Sequence, residues 1–384
     1  MKLTHRIKLK LSHNDFQMAK VHSMEAARCW NDMVKLANTH SDDQQKWTHH
    51  YDLQKLLKMQ YQLSSTTIQG LTDKFCANRL TALQLHKKGF TKARYAHHEK
   101  HFFCLPLKIA NFKKTDELTL RITLSNGNYL SLPFAFALPS YGELSFKDGA
   151  YYFYYGISVD EAVAVTSDIQ AGIDLGEVHS IAMVTSNGDA LILSNRYGRS
   201  VKRYRNKKLG QFAKRLSHCK NGSKKHKQLI KARAKVKSKT KHQLRNYYHQ
   251  TTAKAIDFAR EHHVSEIVCG DIKNVAKNTK KKKRVGRLNR QKLSQAEFGT
   301  LKFYLKYKSK LNGIVFKLVD EAYTTQTCPV CGQRHKQQGR THKCPCGYTA
   351  HRDIVGAWNI LNKRHSHPLV DFSVTGRHPL KVSC

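Results

Sequence analysis

Aspartate and glutamate are in short supply in this sequence: 27 of them face 68 lysines and arginines, a formal charge of +41 on 384 residues. That surplus far exceeds what solubility requires and repels itself unless a polyanion compensates it, so nucleic acid is the expected partner. Long apolar runs are also missing. None is long enough to span a bilayer, which leaves a membrane-spanning basic protein without its anchor. The opening MKLTHRIKLKLSHND alternates basic and apolar residues without the apolar block of a signal peptide, so a cytoplasmic, nucleoid-associated protein is expected. A disulfide framework is disfavoured as well. Of ten cysteines, only Cys328, Cys331, Cys344 and Cys346 cluster, as suits a reducing compartment with one metal site.

The length allows two or three domains. Residues Lys2 to Leu11 alternate as a short strand, after which Phe16, Ala19, Ala26, Trp30, Met33 and Ala37 follow a helical period. Further helices are expected near Gln44–Gln60 and Thr66–Lys88, as a bundle inserted after the first strand. Glu117–Leu132 reads as a hairpin turning at Asn126-Gly127, and a second pair turns at Asp148-Gly149. Together these strands predict a small antiparallel barrel or sandwich. Alternation through Tyr151–Tyr155 buries every second ring and leaves the others for base stacking.

A new domain is expected from Ile169. The strand IQAGIDLG carries Asp174, and two more antiparallel strands follow across an Asn187-Gly188 turn, as in the opening of an RNase H-like nuclease. A carboxylate in an apolar strand is costly unless paired or metal-bound; the plainer reading is a strand-end aspartate capping the Gly176 turn. From Ala190 to Ile256 there is no acid at all. Instead Arg199, Lys202, Arg203, Lys207, Lys208, Lys214, Arg215, Lys224, Lys231 and Arg245 lie on two expected basic helices joined by Asn221-Gly222-Ser223, candidates for phosphate contact. A helix over Tyr247–His262, a strand over Val264–Cys269, a Lys-rich loop over Thr279–Arg290, a helix over Ser294–Leu311 and a strand over Ile314–Val319 complete this part. The tail after Lys363 shows no clear period and reads as flexible.

The four clustered cysteines come as C-x2-C and C-x-C pairs with glycines at 332 and 347 to make tight turns, the pattern of a structural zinc site. The second pair is one residue tighter than usual, which leaves His335, His342 or His351 as substitute ligands. Asp353 follows at the start of an apolar helical stripe, where it either caps the helix or serves as a ligand. An RNase H-like centre needs three carboxylates holding two divalent ions roughly 3.5–4 Å apart. Asp174 and Asp353 fit the first and last roles.

The order GIDLG, a basic helical insertion, IVCGDIKN, YTTQTCPVCG and HRDIVGAWNI, over roughly Ile169 to Leu361, resembles the TnpB family of transposon-encoded RNA-guided nucleases related to type V CRISPR effectors. The resemblance implies a multidomain α+β chain. A wedge-like β-barrel (1–13 and 100–168) would be interrupted by a helical recognition lobe (14–99). A RuvC-like RNase H domain (169–326 and 348–363) would carry a basic insertion at about 197–250, a zinc ribbon (327–347) and a basic tail (364–384). It further implies two Mg²⁺ ions, a structural Zn²⁺, a guide RNA derived from the transposon end, and a double-stranded DNA target chosen by base pairing next to a short motif. Most members place the second catalytic carboxylate immediately before the aspartate of the fourth strand, where this chain has Gly270. Some carry the Gly-Asp pair with a glutamate after the following strand. Glu321 occupies that relocated position, and Asp271 is the alternative. Without compensation the chain would be a nuclease-inactive guided DNA-binding protein; a guide-independent DNA-binding transposition accessory is the other alternative.

Overall fold

The computed structural model describes residues 1–42, 50–90, 99–272 and 286–377. They form two compact units, Met1–Asp160 and Glu161–Cys384, dividing ahead of the expected start at Ile169. The Lys-rich run Lys280–Lys283, residues 44–49 of the second expected helix and the tail from 378 lie outside the described residues.

In the first unit, strand β1 (Lys2–Lys8) is followed by helices α1 (His13–Asp42), α2 (His50–Leu57) and α3 (Ser65–Lys87). Strands β2 (Leu105–Lys108), β3 (Phe112–Asp116), β4 (Thr119–Ser125), β5 (Asn128–Pro133), β6 (Tyr141–Lys147) and β7 (Ala150–Ser158) come next. They pair into two sheets, β1-β7-β6-β2 and β3-β4-β5. One hydrophobic core joins both sheets to the helices, with Trp30, Met33, Phe75, Leu120, Leu130 and Phe153 among its members. Both expected hairpins form. Asp148 and Gly149 take φ of 54° and 81°, the left-handed pair that a two-residue hairpin turn demands. The aromatic strand differs from its period: Tyr151, Tyr152, Phe153 and Tyr155 are all buried. Strand β7 lies between β1 and β6, and the Arg6 guanidinium covers Tyr152 at 4.8 Å, so the second face is shielded too.

The second unit is built on a six-stranded sheet in the order β12-β11-β8-β9-β10-β15. Its strands are β8 (Gln170–Asp174), β9 (His179–Thr185), β10 (Asp189–Ser194), β11 (Glu266–Gly270), β12 (Val315–Val319) and β15 (Ser373–Arg377). β8, β9 and β10 are antiparallel, while β11 runs parallel to β8 and β12. Alternation assigns the two faces. Ala171, Ile173, Ile181, Met183, Leu191 and Leu193 pack with residues of helices α5 (Lys224–Glu261) and α7 (Phe298–Leu311). Ala182, Val184, Ala190 and Val268 pack with Ile354, Ala357, Trp358 and Leu361 of helix α8 (Arg352–Asn362).

Three expectations change here. Helix α4 (Arg196–Ser217) forms alone, but α5 runs unbroken for 38 residues through the expected start at Tyr247, because no glycine or proline interrupts it. The expected Ser294–Leu311 helix starts later, as α7 at Phe298, and a separate helix, α6 (Arg287–Ser294), begins inside the expected Thr279–Arg290 loop. The tail contributes β15, which pairs in parallel with β10 and extends the sheet.

Candidate active site and metal centre

Two glycines set how closely α8 lies on β8. A Cβ at Gly172 would stand 2.0 Å from the Ala357 carbonyl oxygen, so the helix backbone rests directly on the strand. A Cβ at Gly356 would meet Asp174 Oδ2 at 2.8 Å, which places that carboxylate against the helix. Asp174 ends β8 on the α8 face, two residues beyond Gly172. Burial raises its pKa well above the carboxylate range, and the negative charges of Asp353 and Glu321 push it further, against Arg352. A solvated turn cap would not be surrounded in this way.

Gly270 ends β11 on the same face as Val268. Cys269 pairs with Ile173 across the parallel strands, so Gly270 comes level with Asp174. A Cβ there would lie 3.0 Å from Glu321 Oε2 and 3.1 Å from Glu321 Cβ. Glu321, two residues past β12, thus fills the space a side chain at 270 would take. Burial pushes its carboxyl up to about 7, with Lys302 opposing and Asp320 and Asp271 adding. Asp271 is arranged differently: its Oδ1 accepts from Lys302 Nζ at 2.5 Å, so a lysine already balances its charge.

Asp353 is buried in the first turn of α8, but the cap is His351, whose Nδ1 accepts the Asp353 N–H at 3.3 Å. Asp353 Oδ2 accepts from His179 Nδ1 at 2.7 Å and from Arg340 Nη1 at 3.4 Å. Burial opposes its charge, but the His179 hydrogen bond and the Arg340 cation win and hold the carboxyl below its ordinary value. Among the described residues, two groups of histidine, cysteine or acid have ligand atoms all within 4.8 Å of one another: the four cysteines, and His179, His351 and Asp353. Asp174 and Glu321 belong to neither, so they share a buried charge environment with Asp353 without forming so tight a set. His179, Arg340 and Lys302 carry no motif or spacing that marks them in sequence; each becomes visible only when the fold brings it to a carboxylate.

The cysteines sit on the turns expected of them, with Gly332 and Gly347 at φ of 70° and 91°. Cys328 and Cys346 Sγ lie 3.7 Å apart, and Cys331 and Cys344 Sγ 3.5 Å. Zinc–sulfur bonds of about 2.3 Å in a tetrahedron give edges of about 3.8 Å, so the donor set fits the ion. A hydrogen bond from the Cys346 amide lowers the Cys344 thiol, but burial and its contacts with the other three sulfurs outweigh this and push it up to about 12. Four such thiols ionise together only around a cation. Four cysteines suffice for a tetrahedral set, so no histidine substitute is required; His342 is buried outside the set.

Residues 298–360 match the family model described as Cas12f1-like, TNB domain, and residues 154–276 match the OrfB_IS605 model, described as "Probable transposase". A TnpB-like protein of Methanocaldococcus jannaschii is 29% identical over 131 residues, 34% of this chain and 46% of the relative. Over these segments the chain is similar to TnpB-like proteins. Its match thus spans about half the length of that curated relative. Two solved structures share the fold: the Cas12f1–sgRNA–target DNA complex (TM-score 0.59, 13% identity, covering 91% of this chain and 86% of that one) and the mini-RNA-guided endonuclease CRISPR-Cas_phi3 (TM-score 0.54, 11% identity, 94% and 92%). The two matched segments hold every candidate carboxylate and all four clustered cysteines.

Of the basic positions, Arg203, Lys207, Lys214, Arg215, Lys224, Lys231 and Arg245 are exposed, whereas Arg199, Lys202 and Lys208 are half-buried. Arg199 pairs with Glu177 at 3.3 Å. A cleft of about 560 Å³ is lined by Arg196, Arg199, Lys202, Arg203 and Lys292 among others. No described helix is long and apolar enough to cross a membrane.

Proposed function

We propose that this chain is a transposon-encoded RNA-guided DNA endonuclease that hydrolyses target DNA beside a short adjacent motif, with Asp174, Glu321 and Asp353 holding two Mg²⁺ ions. The observation that carries the reading is the exchange at Gly270: the position level with Asp174 is empty of side chain, and Glu321 fills it. A carboxylate at Asp174 that burial and the charges of Asp353 and Glu321 both push towards its neutral form fits hard divalent cations, which prefer oxygen donors. Two such ions, when bound, supply an activated water and stabilise the leaving oxygen of a phosphodiester.

The chain's own residues do the positioning. Gly356 leaves room for Asp174 against α8, and His179 and Arg340 fix one oxygen of Asp353. Lys302 occupies Asp271 and so leaves the middle role to Glu321. The ribbon, with zinc on Cys328, Cys331, Cys344 and Cys346, spaces Glu321 from Asp353; Asn359 of α8 donates to the Thr324 and Thr327 carbonyls at 2.7 and 2.8 Å and ties the helix to the ribbon's base. The exposed cations of α4 and α5 face RNA and heteroduplex, whose backbone they recognise by charge rather than sequence. On this reading residues 1–13 and 100–168 form the wedge, 14–99 the recognition lobe, and 169–326 with 348–363 the RuvC-like nuclease domain. The neighbour solved with sgRNA and target DNA supports the choice of partners.

Gly270 also favours a second reading, a guided DNA-binding protein that does not cut. Sequencing the RNA that co-purifies with the chain, then offering matching DNA with Mg²⁺, separates the readings. A defined RNA and cut DNA support the first, a defined RNA with bound uncut DNA the second, and no defined RNA removes both.

A further inference from the structure

We infer that His179, His351 and Asp353 form a mixed nitrogen–oxygen site for a divalent transition metal, sharing Asp353 with the all-carboxylate centre but otherwise separate from it. Three parts of the chain meet here: His179 opens β9, His351 closes the short strand Thr349–His351, and Asp353 lies in the first turn of α8. Their ligand atoms all lie within 4.8 Å of one another. Two adjacent ligands at about 2.1 Å from one ion are separated by about 3 Å, and opposite ones by about 4.2 Å, so a set within 4.8 Å reaches a coordination sphere by closing in a few tenths of an ångström. The closest pair, His179 Nδ1 and Asp353 Oδ2 at 2.7 Å, needs little adjustment.

The donor types choose the metal. Two imidazoles and one carboxylate favour nickel or zinc over Mg²⁺, which prefers oxygen and retains its water. Asp353 is 7% exposed, and the two histidines are half-buried, which leaves a path for an ion to enter. The two arginines beside the same carboxylate oppose a cation, Arg340 Nη1 at 3.4 Å from Oδ2 and Arg352 Nε at 3.7 Å from Oδ1. Arg340 has 42% of its side chain exposed and is free to swing into water when an ion takes its place. It therefore competes for the site, which a purely structural histidine–aspartate contact would not require.

Ni²⁺ is the probe, added by titration calorimetry to full-length protein whose cysteine cluster is filled with zinc. Wild type should bind one ion that His179→Ala and His351→Ala each weaken by at least about tenfold. Arg340→Ala should tighten binding severalfold, while Asp174→Asn and Glu321→Gln leave it unchanged. Should the histidine variants fail to fold, Mn²⁺ bound to the Asp174→Asn, Glu321→Gln protein, which lacks the all-carboxylate centre, provides the second measurement, because pulsed electron paramagnetic resonance detects coupling to imidazole nitrogen. Unchanged Ni²⁺ affinity in the folded double histidine variant, or bound Mn²⁺ without nitrogen coupling, overturns the site. Neither measurement depends on DNA cleavage, so its failure and that of the nuclease reading are distinguishable.

Discussion

At the scale of single residues, two glycines and one glutamate decide the centre. Gly270→Ala puts a methyl group about where Glu321 stands, 3.0 Å from its Oε2, and should slow cleavage by about tenfold or more while changing stability little. Gly270→Glu introduced together with Glu321→Ala moves the carboxylate back to β11 and should recover part of the activity that Glu321→Ala alone removes; cleavage rates of the three variants check this. Gly356→Ala forces Asp174 away, since its new Cβ would lie 2.8 Å from Oδ2, and should cut the rate at least as strongly. Asp174 and Asp353 were legible from sequence because an acid in an apolar strand and an acid at a helix start are each unusual in a chain this poor in acids. The family resemblance at Gly270 pointed to Glu321 ahead of Asp271, but the physical reason for that choice was not legible. It rests on Lys302, 31 residues from Asp271 in sequence, and on a strand register that alternation alone does not determine.

At the scale of elements, the ribbon and α8 act as one support. Removing zinc with a chelator, or Cys344→Ser, leaves buried thiols without their cation; it should lower the melting temperature and abolish cleavage, because α8 carries Asp353 and hangs on the ribbon's base through Asn359. The packing of α5 against α7 gives a pH signature. His249 stacks on Tyr304 with ring centroids 4.0 Å apart, and burial, helped by Lys308 and Arg245, lowers its pKa to about 4 from 6.5. The unfolded chain therefore binds the proton first, so this contribution is fully present above about pH 6.5 and is lost as pH falls towards 4. Thermal unfolding at pH 5 and pH 7.5 should differ by less in His249→Gln. Periodicity revealed α1, α3 and the hairpins but misjudged helix ends. Nothing in residues 241–248 distinguishes a continuing helix from a new one, and β15 carries no apolar alternation because it is an edge strand added by pairing to β10.

At the scale of the whole molecule, the charge of +41 repels itself unless a polyanion compensates it, and on the proposed reading that polyanion is nucleic acid. Each exposed cation that contacts phosphate releases counterion, so Lys214→Glu with Arg215→Glu should weaken RNA binding and reduce the steepness of its salt dependence by about 2 logarithmic units per logarithm of salt. The partner class was readable from composition alone, since a surplus this size has few other outlets. The central claim concerns the centre at the heart of the second unit, and the most direct measurement is DNA cleavage by the purified chain with its co-purified RNA and Mg²⁺. Wild type and Asp271→Asn should cut guide-matched DNA, while Asp174→Ala, Glu321→Gln and Asp353→Ala should bind RNA normally and cut at least about a hundredfold more slowly. Full activity in Glu321→Gln, or inactivity in Asp271→Asn with folding intact, would contradict the account.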